Sequence, residues 1–551
     1  MLIFLLGIQG STMNVNDAHE FIRGQIGNGV NSMCALHRFS TFVEENAERL
    51  SADCPSVFPL THHRPHDVMY RCVALVQEID TNLSLFQFRP HCPFSPPSEE
   101  EPSEYLDATS YFLVPVPGAP MQSSHAHSGQ PTEVPKGRGV KRSSDDVPIA
   151  AGAAFETFEP EAAITQGASS DLRHLLNLPH RPLHDSMFTA CIATCVGEAP
   201  QLCLNDRVEV FGFLRADDVC EGNEDEGQVW GWNALELPQG LVARITAVSI
   251  RRCSAIDAAM PLEVGALRQQ ALASLAVVCA GDPLAAEYLL LSLIASVVRR
   301  HDDIPIGDVP LYLQYPHLPT EYFSSAAQVL RNITPVGCVE LSLKSDSDRL
   351  TPRMDHQRNI LVSGALQVAG GTTLLVDPRG VQANDSLNEI LIDLIHRQAM
   401  KVDYVYSTAR VLTSNHVVIV ADCSPTSLDI PATHVSCVIK VLPTTPLNMM
   451  PIVNEHHSVI RSYIAMARGR LGNLQNEDES LATRMADEMT ETAQRHPSRF
   501  NRDALIHNNT FSAIAALTRA RAASLGCSSP RYEDFAAIME LEASRCDRAL
   551  T

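Results

Sequence analysis

The segment Leu284–Val298 is apolar on nearly every side of a helix, broken mainly by Glu287, Ser292 and Ser296. A helix with one apolar stripe can rest on a surface, but one that is apolar all round needs cover on all sides. The fold must therefore bury this helix between layers, and the following sequence supplies them. Strand-length runs "VPLYLQY", "CVELSL", "TTLLVDP" and "NHVVIVADCS" alternate with the helical stretches "EYFSSAAQVLRNI" and "LNEILIDLIHRQ". Alternation of this kind predicts an α/β domain over 251–450 with a parallel or mixed sheet covered on both faces. "PLEVGALRQQALASLAVVCA" fits a further helix just before the buried one. From 451 to 551 the periodicity is helical throughout, in "IVNEHHSVIRSYIAMARGR", "DESLATRMADEMTETAQR", "NTFSAIAALTRARAASLG" and "SPRYEDFAAIMELEASR".

Upstream the texture differs. Residues 1–60 contain two helical patterns, "NDAHEFIRGQI" and "RFSTFVEENAERL". The apolar "MLIFLLGIQG" is too short to span a bilayer and lacks a signal-peptide pattern; Met13 offers a second starting point. Over 61–250 the runs "DVMYRCVALVQEI", "LSLFQF", "YFLVPVPG", "SMFTACIATC", "DRVEVFGFLR" and "LVARITAVSI" read as strands. A stretch at about 119–170, rich in Pro, Ser and Gly, interrupts them and is expected to be disordered. Short strands with such an insertion suit a small closed barrel of the OB type. An OB barrel that binds single-stranded nucleic acid uses aromatic and basic residues on its strand face. Arg71, Phe86, Phe88, Phe211 and Phe213 are the candidates, but acidic loops lie beside them. Core aromatics in a protein-binding or spacer barrel fit better.

Charge points the same way. The chain has 42 basic and 64 acidic residues, a formal net charge of −22. An anionic surface opposes attraction to a membrane or a nucleic-acid backbone and suits a basic partner surface, or simply solubility. No membrane association and no direct nucleic-acid binding are expected. The fifteen cysteines include no CxxC pair, which suits reduced thiols; Cys191, Cys195 and Cys203 are the closest grouping. The histidine groups at His62, His63 and His66, at His125 and His127, and at His456 and His457 lack the partners of a zinc site. No cofactor or metal is implied.

An α/β domain followed by a small helical domain is the layout of AAA+ ATPases, which require a phosphate loop with a lysine, a strand-end carboxylate for magnesium and a residue that positions water. "GDPLAAEY" begins like a phosphate loop at Gly281 and Asp282, yet Glu287 brings a negative charge where a lysine belongs. None of the five lysines, Lys136, Lys141, Lys344, Lys401 and Lys440, follows a glycine. Asp377 ends a strand as a magnesium ligand would, but Pro378 follows it; Asp422 and Ser424 end a sensor-like strand. Capped strand ends would look the same. The expectation is a degenerate AAA+-like domain with a C-terminal helical lid, joined to an OB-like β domain, without hydrolysis and without catalytic residues.

Several segments together resemble the MCM-binding protein family. The most specific are "GDPLAAEYLLLSLIASVVRR" with "IPIG", "LVSGALQVAGGTTLLVDP", "KVDYVYSTARVL" and "VVIVADCSPTSLDIP"; "SYFLVPVPGAP", "GVKRSSDD" and "DRVEVFGFL" precede them in the family order. The resemblance implies a nuclear, non-enzymatic partner of the MCM replicative helicase, reaching chromatin through MCM subunits. It also implies roles in DNA replication, in assembly or removal of the helicase, and in sister-chromatid cohesion. Lys136, Arg138, Lys141 and Arg142 in "PKGRGVKRSSDD" then become a nuclear-import candidate, with a solvated basic stretch as the plainer alternative. Arg519 and Arg521 on the "ALTRARAAS" helix are candidates for a partner face, with a solvated face as the equal alternative. An AAA+ remodeller and a single-stranded DNA binder are the competing functions.

Overall fold

The computed structural model describes residues 13–58, 68–79, 84–89, 94, 104–119, 177–178, 180, 190–197, 200–214, 242–253, 263–346, 349–356, 360–379, 385–422, 435, 437–446, 456–474, 479–495 and 510–550. The basic cluster at Lys136, Arg138, Lys141 and Arg142, nearly all of the expected 119–170 linker, the first twelve residues and Ser424 lie outside the described residues.

Asn14 opens the first helix, α1 (Val15–Gly27), with a reciprocal cap. Its side-chain oxygen accepts from Asp17 N at 2.9 Å, and Asp17 accepts from Asn14 N at 3.0 Å. Asn31 caps α2 (Ser32–Glu45), and α3 (Ala47–Asp53) follows. Their apolar faces, with Ile22, Phe39 and Phe42, form one core with Phe86, Phe88, Phe211 and Phe213. Those four phenylalanines lie on β2 (Ser84–Phe88) and β5 (Arg207–Leu214), two of six strands whose others are β1 (Met69–Ile79), β3 (Glu104–Pro115), β4 (Ala190–Val196) and β6 (Val242–Arg252). The sheet runs β1-β5-β6-β4-β3-β2, and β1 also pairs with β3, so the pairings return to their start. Only β4 and β6 run parallel; the other pairs are antiparallel. The aromatics offered by the sequence are thus covered by helices, and Arg71 is paired with Glu209 at 2.6 Å.

The second body starts with α4 (Val264–Val278) and α5 (Pro283–Ile294). A short hairpin, β7 (Arg299–His301) and β8 (Ile304–Ile306), leads to β9 (Leu311–Tyr315), α6 (Thr320–Ile333), β10 (Cys338–Ser342) and the one-turn α7 (Leu343–Asp346). Then come β11 (Arg353–Asp355), β12 (Ile360–Val362), β13 (Thr373–Asp377), α8 (Asp385–Ile392) and a π-helical turn at Asp393–Arg397. Strands β14 (Ala399–Asp403), β15 (Thr408–Leu412), β16 (His416–Asp422) and β17 (Cys437–Lys440) complete it. Five strands form a wholly parallel sheet in the order β10-β13-β16-β9-β17. A smaller sheet, β12-β11-β14-β15, stands beside it.

Helix α5 is buried almost throughout, as its all-round apolarity demands. It packs against α4, strand β9 and two C-terminal helices, α9 (His457–Asn473) and α11 (Thr510–Ser524). It ends at Ile294, four residues short of Val298: Ala295 turns to ψ 134°, and the chain runs extended towards β7. Helices α10 (Glu479–Arg495) and α12 (Tyr532–Leu550) finish the chain. The β domain meets the parallel body backbone to backbone, where Cys338 N donates to Gly118 O at 3.0 Å.

Candidate functional site at the strand ends

Open parallel sheets bind ligands beyond the carboxyl ends of their strands, at the point where the winding direction reverses. Here β9 connects through α6 to the far edge strand β10, whereas β16 connects the opposite way to β17. The reversal lies between β16 and β9, whose last residues, Asp422 and Tyr315, stand side by side. Asp377 closes the neighbouring strand β13.

One side chain occupies this junction. Arg379 follows Asp377 by two residues, and Pro378 forces the turn between them. Its Nε and Nη2 donate to the two oxygens of Asp377, each at 2.8 Å, and its backbone N–H adds a bond of 3.0 Å. Nη1 donates to Leu318 O at 2.6 Å and lies 4.0 Å from Asp422 Oδ2. The guanidinium fork matches a carboxylate in two parallel bonds, which fixes its position as well as its charge. Hydrogen bonds from its guanidinium to Asp377 hold the Arg379 pKa above its ordinary value, against the opposing effect of burial. The two carboxylates that could share a divalent cation therefore face a cation belonging to the chain itself.

The turn between β9 and α6 is also unsuited to phosphate. It reads Pro316, His317, Leu318, Pro319, and both prolines lack an N–H. A phosphate cradle is made of backbone N–H groups, whereas this turn directs the Leu318 carbonyl at Arg379.

The structure places Gly281, Asp282 and Glu287 elsewhere, ahead of the first strand of the parallel sheet: Gly281 and Asp282 between α4 and α5, and Glu287 within α5. The stretch before Gly281 is helix α4, so Gly281 does not follow a sheet strand. Gly281 turns the chain at φ +82°. Asp282 is the N-cap of α5, accepting from Leu284 N at 3.0 Å and Ala285 N at 3.3 Å. Its other oxygen accepts from Leu442 N at 2.9 Å and Arg548 at 2.6 Å. Glu287 pairs with Arg268 and, at 3.5 Å, with Arg521. Its charge thus ties helices together, and Arg521 belongs to that tie. Arg519 is half-buried on the same helix. Of the four nucleotide-site positions read from the sequence, only Asp377 lies where the fold would put a ligand. Asp422, noted beside it, does as well. Arg379 went unnoticed; the signal was the sequence "VDPR", an acid and a base two apart across a proline turn.

Fold and site together define a mixed α/β protein with several sheets, whose strand-end carboxylates are bridged by its own arginine. The chain matches the family described as mini-chromosome maintenance replisome factor over residues 98–549 and belongs to that family. Among similar curated proteins, the mini-chromosome maintenance complex-binding protein of Salmo salar is 29% identical over 359 residues, covering 57% of this chain and 56% of the relative. The protein of the same name from Danio rerio is 25% identical, covering 58% of this chain and 62% of the relative. That from Arabidopsis thaliana is 22% identical, covering 72% and 69%. The matched region thus spans little more than half the length of the two fish relatives.

Proposed function

We propose that this chain is a non-enzymatic binding partner of MCM helicase subunits that works by contact and not by nucleotide turnover. We read the parallel body with its helical region as AAA+-like and the self-returning β sheet as an OB-like barrel. The single observation that carries the reading is Arg379. It lies between Asp377, Asp422 and the Leu318 carbonyl, at the strand ends where a working ATPase would hold magnesium and phosphate. A body of this shape, whose strand-end acids already face an arginine of the chain, is suited to dock against an active AAA+ neighbour and keep it from closing into a ring. Control of helicase assembly or removal during replication, and support of sister-chromatid cohesion, follow as the cellular roles proposed.

The names of the relatives support MCM subunits as the partner class. Size-exclusion chromatography of the full chain with purified MCM subunits tests this. A stable co-eluting complex, formed equally with and without ATP, is expected; no complex with any subunit removes the proposal. Nuclear localisation through Lys136, Arg138, Lys141 and Arg142 is part of the same proposal. Deleting 135–142 is expected to leave the protein in the cytoplasm, and unchanged nuclear accumulation counts against it.

A further inference from the structure

Helix α2 lies against the β domain and leaves a hollow of about 310 Å³ beneath it. The walls are largely apolar: Met33 and Leu36 of α2, Phe86 and Phe88 of β2, Phe94, and Val196 of β4. A cavity of about 150 Å³ holds a benzene ring, so this hollow has room for about two large apolar side chains. Met33, Leu36 and Val196 pack against the phenylalanine core yet are only partly buried. Protein interiors are close-packed, and apolar walls left to water forgo the gain of burial. The hollow is shaped for apolar side chains that the described residues do not supply.

The chain enters the same core a short distance away. Met13 is 1% exposed and belongs to that cluster, and its carbonyl accepts from Met69 N at 2.8 Å. Met69 stands opposite Phe213 across β1 and β5, and the Phe213 ring lies 4.8 Å from Phe94 in the wall of the hollow. With neighbouring strands about 4.8 Å apart, these steps put the hollow roughly 15–20 Å from Met13. The residues before Met13 read "MLIFLLGIQGST", and none carries a charged side chain. Extended, residues 7–12 can span about 20 Å. That reach delivers residues 2–6, "LIFLL", to the hollow.

We infer that the hollow under α2 is the seat of the chain's own residues 2–6. The run and the walls match in chemistry, consecutive apolar side chains meeting phenylalanines, a leucine and a methionine. The tether also makes the contact intramolecular, with an effective concentration on the order of millimolar that a free ligand would have to match. A run seated there closes the β domain beneath α2, and any other apolar occupant must displace it first.

Cys34 lines the hollow and is exposed, so its thiol reports whether the seat is filled. Cys203 is also exposed; it precedes β5 at the end away from Phe213 and serves as the control. The test variant is Phe4→Asp/Leu5→Asp in the full chain. Successive residues of an extended run face opposite sides, so one of the two charges must face the walls. Reaction of each thiol with N-ethylmaleimide is followed by peptide mass spectrometry. Cys34 is expected to react about 5-fold faster or more in the variant, with Cys203 equal in both proteins. A synthetic peptide of residues 1–8, added to the variant, is expected to restore the slow rate. Equal Cys34 rates in the two proteins overturn the inference, and so does a Cys203 rate raised in the same proportion, which would mean loosened folding. A Cys34 rate that slows only when MCM subunits are added also overturns it, assigning the hollow to a segment of the partner.

Discussion

Arg548, near the end of the chain, donates its Nη1 to Asp282 Oδ2 at 2.6 Å and so fastens the last helix to the loop ahead of α5. Asp282 is completely buried and also accepts three backbone N–H groups. Two other acids repeat the arrangement. Glu287 holds Arg268 of α4 and Arg521 of α11. Glu542 of α12 accepts from Tyr288 of α5 and pairs with Arg545 at 2.7 Å. A buried carboxylate is costly without partners, so each of these acids requires its helix to stay in place. The C-terminal helices are thereby fixed on α5 as part of one body.

Removing the arginine should show this directly. Arg548→Ala leaves Asp282 buried with its backbone bonds alone, and a cost of about 2–4 kcal/mol is expected. Arg548→Lys, which keeps the charge but loses the planar fork, should fall between the two. Urea unfolding reads both. A loss in the alanine variant below about 0.5 kcal/mol, the range of an ordinary surface substitution, would show that the tie contributes nothing.

Arg379 gives a second expectation. In the wild type its guanidinium already neutralises Asp377, so neither calcium nor ATP with magnesium should move the melting temperature. Arg379→Ala exposes two carboxylates and the Leu318 carbonyl at the strand ends, a set of oxygens suited to a hard cation. That variant should melt lower and recover part of the loss in millimolar calcium, without gaining phosphate release. A melting temperature indifferent to calcium in both proteins would mean that the arginine holds no cation position.

The sequence exposed the layers but not their wiring. The all-round apolar α5 and the strands ending in Asp377 and Asp422 are legible because burial and period leave a mark on consecutive residues. Gly281 and Asp282 begin like a phosphate loop because a glycine turn before a capped helix reads alike in either setting, although the helical pattern "PLEVGALRQQALASLAVVCA" before them already marks a helix and not a strand. The partners of Glu287 lie 19 and 234 residues away, at Arg268 and Arg521, beyond any local pattern. The hairpin β14–β15 was hidden for a different reason. Its tip, Tyr404 to Ser407, contains no Gly, Pro or Asn, and the turn is made by a strained valine that no propensity favours.

His19 supplies a pH dependence. Burial first, then the charges of Arg23 and Arg89, lower its pKa from 6.5 to about 4. It accepts a bond from Phe94 N at 3.4 Å and lies parallel to the Phe94 ring. The unfolded chain takes up a proton below pH 6.5, whereas the folded chain resists until about pH 4. Stability from the neutral ring is therefore complete above pH 6.5 and declines as the pH drops from there to about 4. His19→Gln should flatten this acid limb of the stability curve. Equal slopes in the two proteins across that window would exclude His19 as the cause.

The junction between the β domain and the parallel body includes two glycines that touch, beside the hydrogen bonds of Asn177 with Leu361 O and Ser363 N. Gly337 sits at φ +132°, and a Cβ there would lie 2.1 Å from Gly118 O. Gly118, at φ +70°, would place its own Cβ 2.3 Å from Cys338 O. Both clashes are with backbone, which cannot rotate away as a side chain can. Gly337→Ala therefore strains its own φ and pushes the two backbones apart, breaking the Cys338–Gly118 bond. A loss of more than about 2 kcal/mol is expected. Uncoupling should also be visible, because the two bodies would cease to unfold together. Urea titration followed separately by far-ultraviolet circular dichroism and by hydrogen exchange should give coincident transitions in the wild type and two separated ones in the variant. Coincident transitions in both would show that the bodies are held together at other contacts.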